Sequence, residues 1–167
     1  MRIIITLLLA VGVVGVDQSP KDAALLEHLK RLFPTATSFS PKRGTPPHVK
    51  ALRTDPLTGE QVIGFAFWTT ELDPLERGYS GPIKILVGMN TQGVLTGIVV
   101  VDHHEPYGDF SIEPPAFAAQ FAGKSIGDAF RVGGDIDAVS RASITVASAT
   151  RTVRNSARRL ARQLLAR

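Results

Sequence analysis

The chain of 167 residues contains no cysteine. That absence removes disulfides, thiolate-held zinc, iron–sulfur clusters and a cysteine nucleophile together. It leaves the compartment open, because an exported protein can also do without disulfides. Acid is missing from the C-terminal segment: after Asp137 there is no Asp or Glu, while seven arginines follow. Aromatic residues are absent there too, so this basic stretch lacks the stacking groups a nucleic-acid surface needs. Long apolar runs are scarce. One uncharged, mostly apolar run, Ile3 to Val16, has 14 residues, short of the about 20 that span a bilayer. It suits the hydrophobic region of a signal peptide behind Arg2. Residues 1–18 are therefore expected to be a signal peptide or an N-terminal anchor, with the remainder soluble on the far side.

What is present suffices for one domain. A chain near this length buries roughly 68–70% of its unfolded surface without needing staples. The net charge of +4 is modest, and the surplus sits largely in the last segment. In "KDAALLEHLKRLF" (21–33), Leu25, Leu26, Leu29, Leu32 and Phe33 form one helical stripe, and Pro34 ends it. Thr35 to Gly59 is polar and rich in Pro and Gly, which predicts an irregular crossing. "QVIGFAFWTT" (61–70) is β-rich. Two apolar runs, 83–89 and 94–102, flank Asn90-Thr91-Gln92-Gly93, which has hairpin chemistry. The second run reads as a central strand. "PPAFAAQFAG" (114–123) reads as a short helix opened by proline, and a turn-rich return leads to a basic C-terminal helix. Strands framed by terminal helices predict an α+β domain, an antiparallel sheet packed with helices. The expected organisation is 1–18 as leader, 19–60 as an N-terminal helix and irregular loop, and 61–167 as the functional domain.

Several motifs fail on inspection. "AGKSIGD" (122–128) lacks the first glycine of a phosphate loop, since Ala118 holds that place. "GYSGP" (78–82) misses the nucleophile elbow because Pro82 replaces its last glycine. "DHHEPYGD" (102–109) follows the strongest strand, with Asp102 and His104 facing one way and His103 and Glu105 the other. Its histidines and acids could ligate a metal, but a polar turn or cofactor-contacting loop is the preferred reading, and no metal is assigned. In the last helix Val146, Ala149 or Thr150, Val153, Ala157, Leu160 and Leu164 recur every three or four residues as a core face. The arginines fall largely outside it and read as solvated surface. Ser140, Ser143 and Thr145 surround the first turn, where Ser140 or Ser143 could cap the helix. Free backbone N–H groups at such a start suit a phosphate.

The stretch Asp137-Ala-Val-Ser140-Arg141-Ala142-Ser143-Ile144-Thr145 resembles the flavinylation motif of the FMN-binding domain family: Asp, two residues, Ser or Thr, usually Gly, Ala, then Thr or Ser. Upstream, the strand–turn–strand followed by Glu105-Pro106-Tyr107-Gly108 resembles the family's "ETPG"-like loop, and "FAAQFAGKSIGDAF" resembles the stretch that follows it in the family. The match covers roughly residues 60–160. The family includes flavin-carrying subunits of the sodium-pumping quinone reductase and of Rnf complexes, and the periplasmic part of NosR, whose flavour is nearest. The resemblance implies FMN as cofactor, attached through a phosphoester to Ser143 by a flavin transferase. It also implies that Ser140 caps the helix, that Asp137 orients or marks the motif, and that the 105–108 loop lies against the isoalloxazine. Arg141 replaces the usual glycine and Ser143 the commoner threonine. The implied role is an electron carrier rather than an enzyme in its own right, with no catalytic acid, base or nucleophile. It would be periplasmic or anchored on the outer face of the inner membrane, with redox partners in a membrane respiratory complex and no nucleic acid. The rival reading is a flavin-free regulatory or scaffolding module of the same fold.

Overall fold

A computed structural model describes residues 20–72 and 75–165. The expected leader therefore lies outside the described residues. Helix α1 (Pro20–Leu32) precedes strands β1 (Ser38–Phe39), β2 (Val49–Asp55) and β3 (Gly59–Trp68), and a 3-10 turn at Thr69–Glu71. Strands β4 (Lys84–Asn90) and β5 (Leu95–Asp102) follow, then helices α2 (Gly108–Ser111), α3 (Pro115–Ala119) and α4 (Ser143–Leu164). The five strands form one antiparallel meander in chain order. The fold is α+β, as the pattern of strands framed by helices implies.

Two layers of side chains cover the sheet. On one face, Leu29, Leu32 and Phe33 pack on Val49, Ala51, Ala66, Leu86 and Val99. On the other, Val146, Ala149, Val153, Ala157 and Leu160 of α4 join Phe67, Ile85, Val87, Met89, Leu95 and Ile98. The period-2 alternation of β4 sends Leu86 to α1 and its neighbours Ile85 and Val87 to α4. Each fully buried Val or Leu contributes roughly 1.5–3 kcal/mol, so the five positions of α4 are a principal fastening of the helix. The α1 side is unusually close. A Cβ on Gly64 would stand 2.5 Å from the Phe33 ring, and one on Gly88 would stand 3.1 Å from Leu32 Cβ. These glycines let the helix settle directly on the backbone.

Three expectations are corrected. The stretch read as irregular holds β1 and β2, and β2 pairs with β3 across the turn at residues 55–59. Its polar alternation reflects a strand with one wet side, whose pattern is buried, exposed, buried at Val49, Lys50 and Ala51. The run read as a central strand is β5, at the end of the sheet. Its middle is apolar on both faces because both are covered there, Ile98 by the α4 layer and Val99 by the α1 layer. Its open edge is partly closed at the start, where Leu95 N–H donates to Lys124 O at 2.8 Å and Gly123 N–H to Leu95 O at 2.8 Å. The arginines of α4 are not all solvated surface. Arg158 donates from Nε to Ile126 O at 2.7 Å and from Nη2 to Asp128 O at 2.8 Å. The turn between β4 and β5 behaves as read: Asn90 Oδ1 accepts the amides of Gln92 and Val94, each at 2.9 Å.

Candidate functional site

Three segments meet at the start of α4. The first is the loop at Gly78-Tyr79-Ser80, the second the loop 105–108 after β5, and the third the turn that delivers the chain into the helix. What joins them is the carboxylate of Glu105, a buried acid with 6% of its surface exposed. Its Oε2 accepts the Tyr79 amide at 3.0 Å and the Thr145 hydroxyl at 2.5 Å, and its Oε1 accepts the Ser80 amide at 2.9 Å. Burial opposes the charge. The Thr145 hydroxyl and the amides of Ser80, Tyr79 and Gly81 outweigh it and hold the carboxyl below its ordinary value. Gly78 is dictated by this clasp, because a Cβ there would overlap the Glu105 carboxylate.

His103 supports the second segment. Its Nδ1 accepts the Glu105 amide at 3.2 Å, so Nε2 carries the proton and donates to Glu113 Oε1 at 3.0 Å. A Cβ on Gly108 would fall inside the His103 ring's own space, which is why a glycine ends this loop. His103 and Glu105 turn inward while Asp102 and His104 are exposed, as the strand alternation predicts. Among the described residues no cluster of three or more His, Asp or Glu could hold a metal ion.

The helix start corrects the capping assignment. Ala142, not Ser140 or Ser143, is the N-cap residue, and no side chain caps the helix. Ser143 is instead the first helical residue. Thus the first-turn amides, which have no intrahelical acceptor, also lack a side-chain acceptor. The preceding turn is closed by Ala142 N–H donating to Val139 O at 3.2 Å, with Arg141 at its third position and φ of +69°. That is the left-handed value a type II turn requires, normally supplied by glycine. The usual glycine of the motif is thereby explained: it allows the turn, and Arg141 adopts the conformation with a side chain attached.

Beside this start lies a cavity of about 510 Å³, lined by Tyr79, Pro106, Tyr107 and the run Arg141-Ala142-Ser143-Ile144-Thr145. The size lies within the range of small-ligand sites. The structure thus brings together most of the residues singled out in the sequence. Glu105 is not on the lining but reaches it through Tyr79 and Thr145, and Gly108 lies against His103, whose Nδ1 accepts the Glu105 amide. Asp137 and Ser140 are outside the lining; the Asp137 amide donates to Gln120 Oε1 at 2.7 Å. Tyr79 and its loop are not among the site residues legible in the sequence, where "GYSGP" stands out only as a failed nucleophile elbow. The Ser143 hydroxyl belongs to an exposed residue on the lining, whereas Thr145 and Thr150 are 2% and 1% exposed. Tyr79, Tyr107 and Ile144 are exposed large side chains at the same place. A flat apolar ring system with a phosphate tail fits this lining, which offers apolar side chains together with free first-turn amides and a guanidinium.

Comparison with known proteins gives the ligand its name. Residues 78–158 match the model of the FMN-binding domain. A component of the ion-translocating oxidoreductase complex of Yersinia pestis is 33% identical over 109 residues, covering 59% of this chain and 50% of that protein. The corresponding component from Shewanella baltica (strain OS223) is 32% identical over 89 residues, covering 47% of this chain and 42% of the relative. The chain spans about half the length of these relatives, or less. The matched segment begins at the loop that clasps Glu105 and runs past the cavity into α4. Over residues 78–158 this chain therefore matches the FMN-binding domain, and that match indicates FMN as the cofactor.

Proposed function

We propose that this domain is an exported electron carrier whose FMN is joined by a phosphoester to Ser143, in the service of a membrane respiratory complex. The relatives matched over half their length or less are components of an ion-translocating oxidoreductase complex, and a NosR-like redox system is the setting proposed for this chain. The observation that carries the reading is the contrast among hydroxyls: Ser143 is exposed on the cavity, while Thr145 is buried and committed to Glu105. FMN, when bound, supplies the reversible redox chemistry, and the protein supplies binding, orientation and electrostatics. The amides of Ser143, Ile144 and Thr145 would hold the phosphate, favoured by the positive end of the helix dipole. Pro106, Tyr107, Tyr79 and Ile144 would flank the ring system. In attachment a flavin transferase would present the FMN unit as part of a dinucleotide such as FAD. The Ser143 oxygen bonds to the FMN phosphorus, the pyrophosphate P–O bond breaks, the nucleoside monophosphate leaves, and the hydroxyl proton passes to a base of the transferase. No side chain of the cavity is needed as a catalytic acid or base, so the domain carries electrons rather than transforming a substrate.

Export rests on the apolar run behind Arg2. Among the described residues no helix is long and apolar enough to cross a membrane. The test of attachment is intact mass after denaturation, on protein co-expressed with a flavin transferase. Wild type should carry one FMN increment and Ser143→Ala none. An increment that survives in Ser143→Ala would assign the link to another hydroxyl. Wild type with neither bound nor covalent flavin would favour the regulatory or scaffolding module instead.

A further inference from the structure

Two non-glycine residues among those described adopt positive φ: Phe130 at +51° and Arg141 at +69°. A side chain in this region is disfavoured by contact of Cβ with the carbonyl oxygen. Such a conformation persists where something else compensates. For Phe130 the compensation is visible. Its ring is 3% exposed and packs in the core, with its centroid 6.2 Å from that of Phe121. Arg141 has nothing comparable. It is exposed, takes part in none of the salt bridges, and makes no side-chain hydrogen bond to another described residue. Yet it lines the cavity immediately before the uncapped start of α4. The geometry is that of a cation for which the described residues provide no anion.

We infer that Arg141 reads the phosphate of the flavin. Its guanidinium, beside the free first-turn amides, holds the 5′-phosphate at Ser143. The domain thereby selects phosphorylated flavin over riboflavin, and does so even where the covalent link to Ser143 is absent. A planar guanidinium offers paired donors that match phosphate oxygens, and the helix start adds donors of the same polarity. Neither group discriminates among ring systems. The inference rests on the FMN reading of the cavity and adds to it a residue that sets specificity.

The test is carried out in the Ser143→Ala background, where any binding is reversible. FMN and riboflavin are titrated separately against protein with Arg141, Arg141→Gly and Arg141→Lys, at ~50 mM and ~500 mM salt, a range that spans strong to weak electrostatic attraction. Arg141→Gly should weaken FMN about tenfold or more, the usual scale for losing a charge-assisted contact. Riboflavin affinity should not change. The lysine variant, which keeps charge but not the fork, should fall between, and salt should weaken FMN most where a cation is present. Arg141→Gly should also melt at a higher temperature than its parent, since glycine relieves the turn; weaker binding cannot then be put down to misfolding. Equal losses of FMN and riboflavin, or unchanged FMN affinity, would overturn the inference while leaving the FMN cavity intact. If Ser143→Ala binds neither flavin, and wild type also acquires none in the presence of a flavin transferase, the reading of the cavity fails with it.

Discussion

Replacing Glu105 by glutamine tests whether the site is held by one buried carboxylate. The two oxygens divide their work, Oε2 taking Tyr79 N–H and the Thr145 hydroxyl, and Oε1 taking Ser80 N–H. Glutamine is nearly the same shape but converts one oxygen into a donor. The Thr145 hydroxyl can rotate and accept instead; a backbone amide cannot. Whichever way the side-chain amide turns, at least one part-buried N–H, of Tyr79 or Ser80, loses its acceptor, at a cost of about 1–3 kcal/mol, and the surviving bonds lose their charge assistance, about 1 kcal/mol more. The expected loss is thus about 2–4 kcal/mol, or roughly 5–15 °C in Tm for a chain of this size. The effect has a definite pH dependence. The folded carboxyl titrates below its ordinary value of 4.5, so its contribution is complete above that value and fades as pH falls through the folded one. Glutamine does not titrate. Thermal melts should therefore show wild type well above Glu105→Gln at neutral pH, and the two converging in acid. A gap under about 1 kcal/mol at neutral pH, less than one buried donor should cost, would refute the clasp. So would a gap that stays constant into acid.

Asp135 should show the same sign in a lower window. Its carboxylate accepts the amides of Arg131 and Phe130 and pairs with Lys124. The Arg131 amide above all, then Lys124 and Phe130, lowers its pKa to about 2 against some loss of hydration. Melting temperature against pH for Asp135→Asn should thus lie below wild type above pH 3.8 and meet it only as pH nears about 2. Arg158→Ala should cost about 1–2 kcal/mol by removing two donors from the Ile126 and Asp128 carbonyls. It should also speed hydrogen exchange at residues 125–128, and Arg158→Lys should restore only part because a lysine cannot supply the fork.

Local pattern and chemical motif were legible without coordinates. The stripe Val146, Ala149, Val153, Ala157, Leu160 is the buried face of α4, because helical period and burial are tied by geometry. The Asn90–Gly93 turn follows from side-chain chemistry that acts within four residues. The hydroxyl motif pointed to the start of α4 for a similar reason: a helix terminus is a local feature. Three things were not legible. Strand order was not, since β5 at the sheet's end and a central strand are equally apolar when both faces are covered. Strands β1 and β2 were not, since a half-wet strand among prolines and glycines carries a weak signal. The absence of a serine cap was not, since capping depends on backbone angles that residue type does not set.

The residue types around the start of α4, Ser143 and Thr145 among them, are read from the sequence alone. Their assembly is a tertiary matter. Tyr79, Ser80, Glu105 and Thr145 lie up to 66 positions apart (145 less 79), and only the folded sheet brings them round one carboxylate. The left-handed turn at Arg141 is likewise settled by how residues 139–142 must enter a helix already packed on the sheet. Periodicity and side-chain chemistry are encoded residue by residue, whereas a buried charge finds its donors only when distant backbone segments converge.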